Sequence, residues 1–175
     1  VQLLTSVDLS HPLVSGMPVY PGDPEVHFEG ATDIASDGFN VMHVRMGSQS
    51  GTDIDAPFHF LSSGARIDDY PTKRFVGPAT LMNASGMAPH SRMTADMVPP
   101  PRVPESLLII HTGWSTHWGS NSYFSHPFLD GSAAEAIVQA GYTVVAIDAL
   151  SVDQTDGGVG DFSAHMVLLG AGIPI

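Results

Sequence analysis

The chain has 175 residues and 43% hydrophobic composition, enough apolar material for one domain with a single sizeable core. Six Lys and Arg against 18 Asp and Glu give a formal charge of -12, which repels nucleic acid and anionic membranes and leaves small molecules, cations or other proteins as partners. With no cysteine, disulfides, thiolate metal sites and a cysteine nucleophile are excluded, so any metal takes oxygen or imidazole ligands.

The opening VQLLTSVDLSHPL lacks the charged-then-apolar order of a signal peptide, and no run of about 18 apolar residues occurs along the chain. A cytoplasmic protein without a membrane span is the expectation. Residues 16–26, GMPVYPGDPEV, are turn-rich and extended. In NVMHVRMG (40–47), Val41, His43 and Arg45 alternate with Met42, Val44 and Met46, which predicts a strand. GPATLMNAS (77–85) and SLLIIHTGW (106–114) read as buried strands, and the proline-rich MVPPPRVPES (97–106) between them as an exposed connector. DGSAAEAIVQAG (130–141) predicts a helix, with Ser132 and Glu135 as a capping box and Gly141 closing the C-terminus. YTVVAIDAL (142–150) follows as a strand. The 18 Gly and 14 Pro are spread along the chain, against a helical bundle, and the helix-to-strand unit predicts an α/β fold. The closing stretch SAHMVLLGAGIPI is glycine-rich and apolar, and the expectation is one domain over 1–175 that continues past Ile175.

The densest polar stretch is GSQSGTDIDAPFHF, residues 47–60. In an extended segment Asp53 and Asp55 project to one face, and turns at Gly51 and Pro57 bring Gln49 and His59 round. Two carboxylates ~4 Å apart repel by about 4 kcal/mol at an effective dielectric of about 20, unless a cation sits between them. Spacing leaves the alternative open that both aspartates cap turn amides and that His59 is a half-buried packing histidine. His111, His117 and His126 match no standard zinc spacing and are assigned surface or packing roles. Asp148 and Asp153 are pocket residues or turn and N-cap residues. Trp114 and Trp118, with Tyr123 and Phe124, line a pocket or fill the core. There is no Walker loop or GxSxG elbow. GGVGDF (157–162) is read as lacking the flanking strand and helix of a phosphate loop, and Ser163 near His165 has no third member for a triad.

Four blocks, DLSHPLVSGMPVYPGDP (8–24), TDIDAPFHF (52–60), HTGWSTHWGSNSYFSHPFL (111–129) and SAHMVLLGAGIPI (163–175), together resemble the cyclase family of metal-dependent hydrolases, which includes bacterial kynurenine formamidase and isatin hydrolase. The resemblance implies a swivelling β/β/α domain with a mixed sheet core and few helices, assembled as a homodimer or larger. It also implies a divalent metal (Mn, Zn or Mg) and hydrolysis of an amide, lactam or ester of a small, aromatic substrate. In the family signature HxGTHxDxPxHF, two histidines and the aspartate ligate metal and the last histidine works in acid/base catalysis. Here Gln49 and Asp53 stand at the two histidine positions, Asp55 at the aspartate and His59 at the catalytic histidine, while Gly51, Thr52, Pro57 and Phe60 match.

His165 matches a further histidine ligand, and a glutamate ligand is expected just past Ile175. The resemblance therefore implies metal on Asp53, Asp55 and His165, with Gln49 a weak ligand, and catalysis by His59 with Asp55. Tyr20, Phe58, Phe60, Trp114 and Trp118 are implied as substrate-binding residues, Tyr20 and Pro21 alternatively as dimer contacts. An amide and a carboxylate in place of two imidazoles favour harder ions such as Mn²⁺, Mg²⁺ or Ca²⁺ and weaken the acidification of bound water, which predicts a slower hydrolase or loss of the metal. Two alternatives stand beside hydrolysis: a polyketide-type cyclase or dehydratase using His59 and Asp55 as acid and base, and a non-catalytic ligand-binding relative.

Overall fold

The alternation at residues 40–47 does produce a strand, but one that lies in a hairpin. In the computed structural model, which describes residues 5–155 and 160–175, β1 (His27–Thr32) pairs antiparallel with β2 (Val41–Arg45), with a register shift between Gly30 and Thr32. The short helix α1 (Ile34–Asp37) forms the turn, its first N–H groups capped by the Asp33 carboxylate. Both faces of β2 are exposed, so the apolar and polar positions of the alternation do not divide into core and solvent. The hairpin belongs to the first of two compact units, Val1–Asp53, where Met17 and Val26 are buried and Gly16 N–H donates to Val26 O (3.0 Å).

The second unit, Ile54–Ile175, holds a parallel sheet. Its strands are β3 (Ala79–Asn83), β5 (Leu107–His111) and β7 (Val145–Ile147), in the order β3-β5-β7, with a separate two-stranded parallel pair, β4 (Arg92–Met93) and β6 (Phe128–Leu129). α2 (Gly131–Ala140) precedes β7 and α3 (Ser163–Gly170) follows it. Met82, Leu108, Ile110 and Val145 from the sheet form one buried cluster with Ala133, Ala134 and Ile137 of α2 and Ala164 and Leu168 of α3. Burying apolar side chains on this scale is the main driving force for the fold.

Several expectations are corrected. β3 and β5 are buried on one face only: Leu81 is 58% and Ile109 40% exposed, because both α2 and α3 supply their buried side chains to the same cluster. The helix α2 is capped by Asp130, whose carboxylate accepts from Ala133 N–H (3.0 Å), rather than by Ser132, whose hydroxyl donates to Asp130 (2.6 Å). Its C-terminus does close at Gly141, at φ +82°. The connector 97–106 is irregular as expected but tied down, since Tyr142 Oη–H donates to Pro99 O (2.7 Å) and Arg102 N–H to Thr80 Oγ1 (3.1 Å). The closing stretch begins as a helix, Ser163–Gly170. The reading of GGVGDF as lacking a following helix is therefore overturned; its residues 157–159 lie outside the described residues.

Candidate functional site

Pro57 starts the turn that carries the predicted acid/base histidine. Its fixed φ suits the first position of the 3₁₀ turn Pro57–His59. His59 N–H donates to Ala56 O (2.8 Å) and Leu61 N–H to Pro57 O (2.9 Å), and the chain comes back so that Phe58 N–H meets Ala65 O (3.0 Å). That return needs Gly64, because a Cβ there would lie 2.5 Å from the Pro57 carbonyl carbon. Asp55 is fixed from the far end of the chain: its N–H donates to Ile175 O (2.9 Å) and its carbonyl accepts from Ile175 N–H (3.2 Å). The segment bearing Ile175 is itself docked. Tyr70 Oη–H and an Arg74 N–H both donate to Gly172 O (3.2 Å each), and Val145 N–H donates to Pro174 O (2.9 Å).

His165 enters on the first turn of α3. Phe162, the N-cap residue, offers no side-chain acceptor; the buried Asp153 carboxylate accepts from Ala164 N–H (2.8 Å) and His165 N–H (3.0 Å) instead. The same carboxylate accepts from His165 Nδ1 (2.5 Å). On the other side of the ring, Nε2 lies 3.2 Å from Asp55 Oδ2. His59 Nε2 faces the second oxygen of that carboxylate, Oδ1, at 3.9 Å. Two imidazoles thus address the two oxygens of Asp55, one ring buried and one 37% exposed. Phe60 packs against both, stacked on His165 (centroids 4.7 Å apart) and edge-on to His59 (4.7 Å), with Phe162 tilted against it at 5.1 Å, and the two imidazoles lie edge-on to each other at 6.2 Å. Burial pulls the His165 pKa down, but hydrogen bonds to Asp153 and Asp55 and their charges outweigh it and hold the imidazole up at about 9.

The structure brings Asp55, His59, Phe60 and His165 together within the second unit. Phe58 lies beside them in sequence, its ring face covered by the Arg66 guanidinium at 3.6 Å. Trp114 is buried, with Nε1–H donating to Ser122 O (3.0 Å) and the ring against His117, while Trp118 packs edge-on to Tyr123. Of the other candidates, Asp148 accepts from Thr112 N–H (2.6 Å), Thr112 Oγ1–H (2.6 Å) and Gly113 N–H (2.8 Å), the turn role expected of it. His126 is a buried packing residue: Pro127 O, an acceptor only, takes the Nδ1 proton (2.9 Å), which leaves Nε2 to accept from Thr155 Oγ1–H (2.8 Å). Gln49, Asp53 and Tyr20 belong to the first unit. There Gly51 has φ +79° and a Cβ would meet Leu13 at 2.8 Å, and Thr52 Oγ1 accepts from His11 N–H (3.1 Å). The Gly-Thr pair of the signature thereby joins the 8–24 block to the loop. Sequence reasoning missed Phe162 and the partnership of Asp153 with His165. The only available signal was an aspartate 12 residues ahead of the histidine, across a turn-rich stretch.

As metal donors, Asp55 and His165 fit a divalent ion as two of its ligands. A carboxylate oxygen and an imidazole Nε2 converge, and the other ring nitrogen is held by a carboxylate, as in histidines that ligate metals. No group of three or more His, Asp or Glu side chains placed to hold a metal occurs among the described residues. No helix among them is long and apolar enough to cross a membrane.

The sequence matches the Cyclase family over residues 7–154, and the chain belongs to that family. It is 31% identical over 153 residues to the kynurenine formamidase of Geobacillus thermodenitrificans, covering 84% of this chain and 69% of that protein. Over 175 residues it is 31% identical to the kynurenine formamidase of Salinibacter ruber, 95% of this chain and 78% of that one. Among solved structures, isatin hydrolase A of Labrenzia aggregata, bound to benzyl benzoate, superposes with a TM-score of 0.83 at 22% identity over 96% of this chain and 77% of its own, which shows the shared fold. A protein of Bacillus stearothermophilus described as a predicted metal-dependent hydrolase gives 0.74 at 26% identity, covering 97% and 79%.

Proposed function

We propose that this chain is a hydrolase of amide bonds in small aromatic substrates, a formamide or a lactam of an aromatic amine being the substrate class its relatives indicate. The observation that carries the reading is the pair of imidazoles addressing the two oxygens of one carboxylate, Asp55. His59, partly open to solvent, is the group that takes a proton from the attacking water and returns it to the leaving nitrogen. Asp55 Oδ1 faces its Nε2 across 3.9 Å. Phe60, edge-on to His59, provides an apolar surface beside the reacting group. Asp55 and His165 are the residues that would hold a divalent ion. When bound, such an ion supplies Lewis acidity that lowers the pKa of a water from ~15.7 toward ~7 and polarises the carbonyl. Mn²⁺, Mg²⁺ or Zn²⁺ are the ions of choice.

The test is hydrolysis of N-formylkynurenine and of isatin by protein loaded with Mn²⁺ or Zn²⁺, compared with the His59→Ala variant. Turnover by the wild type that the variant loses by about 100-fold or more supports the reading. No turnover of either substrate with either ion would overturn it. Acid/base ring closure or dehydration by His59 and Asp55 stands as the second reading, favoured by the convergence of two metal donors, Asp55 and His165, with no group of three among the described residues. It predicts turnover that is insensitive to chelators.

A further inference from the structure

We propose that Asp153 is the positioning residue of this site: its buried carboxylate fixes His165 with the proton on Nδ1, so that Nε2 is the ring atom presented to Asp55. Asp153 is 1% exposed, and three of its hydrogen bonds come from the start of one helix: Ala164 N–H to Oδ1, and His165 N–H and Nδ1–H to Oδ2. The backbone bonds satisfy donors that Phe162 leaves uncapped. The ring bond uses an oxygen already fixed by the backbone of the same residue, so turning the imidazole about its side-chain torsions breaks the Nδ1 bond. Stacking by Phe60 closes off one face of the ring. An ionised carboxylate offers acceptors only, and an acceptor at Nδ1 demands the proton there.

An asparagine at 153 separates the two jobs. Its carbonyl oxygen can still accept from Ala164 N–H, whereas its amino group donates toward the ring, makes Nδ1 an acceptor and leaves the ring proton on Nε2. Asp153 touches neither substrate nor a reacting atom in this scheme and acts through His165.

The experiment uses the full chain labelled with ¹⁵N-histidine and a long-range ¹H–¹⁵N correlation spectrum, with the His165 ring assigned by its disappearance in His165→Gln. In the wild type, Nδ1 is expected to be protonated at neutral pH. In Asp153→Asn, Nδ1 is expected to be bare and the proton to sit on Nε2, while thermal unfolding stays cooperative. A wild-type ring with bare Nδ1 overturns the proposal, as does an Asp153→Asn ring unchanged from the wild type in a protein of lowered Tm, which is what a helix cap alone would give. Should Asp153→Asn fail to fold, the wild-type spectrum decides by itself. The kinetic arm rests on the hydrolase reading: Asp153→Asn should lower kcat by about 10- to 100-fold with KM within about twofold. The ring spectrum needs no turnover, so an inactive wild type with the expected pattern sinks the hydrolase reading and leaves the role of Asp153 standing.

Discussion

Gly64→Ala adds one methyl group and strikes the loop that holds His59. The new Cβ would lie 2.5 Å from the Pro57 carbonyl carbon and 2.7 Å from both Pro57 O and Phe58 N. These are backbone atoms, so no side chain can rotate away. Restoring an ordinary contact near 3.4 Å requires about 0.9 Å of movement between residues 57–58 and 64. That movement strains the bond from Phe58 N–H to Ala65 O and shifts the 3₁₀ turn whose last residue is His59. Overpacking of this kind costs about 1–3 kcal/mol, which for a chain of this length lowers Tm by about 2–12 °C. A displacement of about 1 Å at a catalytic group costs about 100-fold in rate. The assay pairs differential scanning calorimetry with steady-state hydrolysis of N-formylkynurenine by metal-loaded protein. A folded variant with lowered kcat and little change in KM is expected. A variant with wild-type Tm and kcat would refute the claim that backbone approach at Gly64 sets the His59 loop.

Asp55→Asn keeps the shape of the carboxylate and removes its charge, and it should cut kcat by about 100-fold or more with a small change in KM, read by initial rates over a range of substrate. Mn²⁺ at about 100 times its dissociation constant should stabilise the wild type by about 2.7 kcal/mol, seen as a raised Tm that EDTA reverses and that Asp55→Ala lacks. Burial lowers the His126 pKa below 6.5, against the opposing bond to Pro127 O. The folded state therefore binds its proton less readily than the unfolded state, and the contribution of His126 to stability is complete above pH 6.5 and is lost as pH falls from 6.5 toward the depressed value. Urea midpoints measured from pH 7.5 downward should fall more steeply for the wild type than for His126→Gln. Asp130→Ala removes the cap of α2 and should cost about 1 kcal/mol, a Tm drop of about 2–4 °C with hydrolysis unchanged.

The elements that sequence revealed are those marked by their own residues. Val41–Arg45, Ala79–Asn83, Leu107–His111 and the helix before Gly141 carry their own pattern and end signals. α3 escaped because its buried residues, Ala164, His165, Leu168 and Leu169, sit in a run that is apolar almost all round, which leaves no periodic contrast, and because its cap lies back at Asp153 rather than beside it. β4 and β6, two residues each, are too short to show any alternation. At the site, Asp55 and His59 were singled out by the family signature and His165 by the resemblance of the 163–175 block. The Phe60 stack on His165 and the joint address of Asp55 by both imidazoles depend on tertiary packing and were not.

The way Asp55 is held explains why the site draws on opposite ends of this unit. Its carboxylate meets a histidine 110 positions away, and its backbone makes reciprocal bonds with Ile175. That partner strand of contacts is reached only after α3 has packed its Ala164 and Leu168 into the same cluster as the sheet. Gly172 then receives Tyr70 and Arg74, and Pro174 receives Val145. Closing so long a loop costs entropy before any contact made by Asp55 is gained, so the geometry at Asp55 depends on the helix core being formed. A cavity at Leu168 should therefore be felt at the site. Leu168→Ala, costing about 2–5 kcal/mol at a fully buried position, should loosen the Asp55–Ile175 pairing and raise amide exchange at Asp55 and Ile175 well above that of β1 and β2 in the first unit. Uniform exchange in both units would show that Asp55 is held independently of α3.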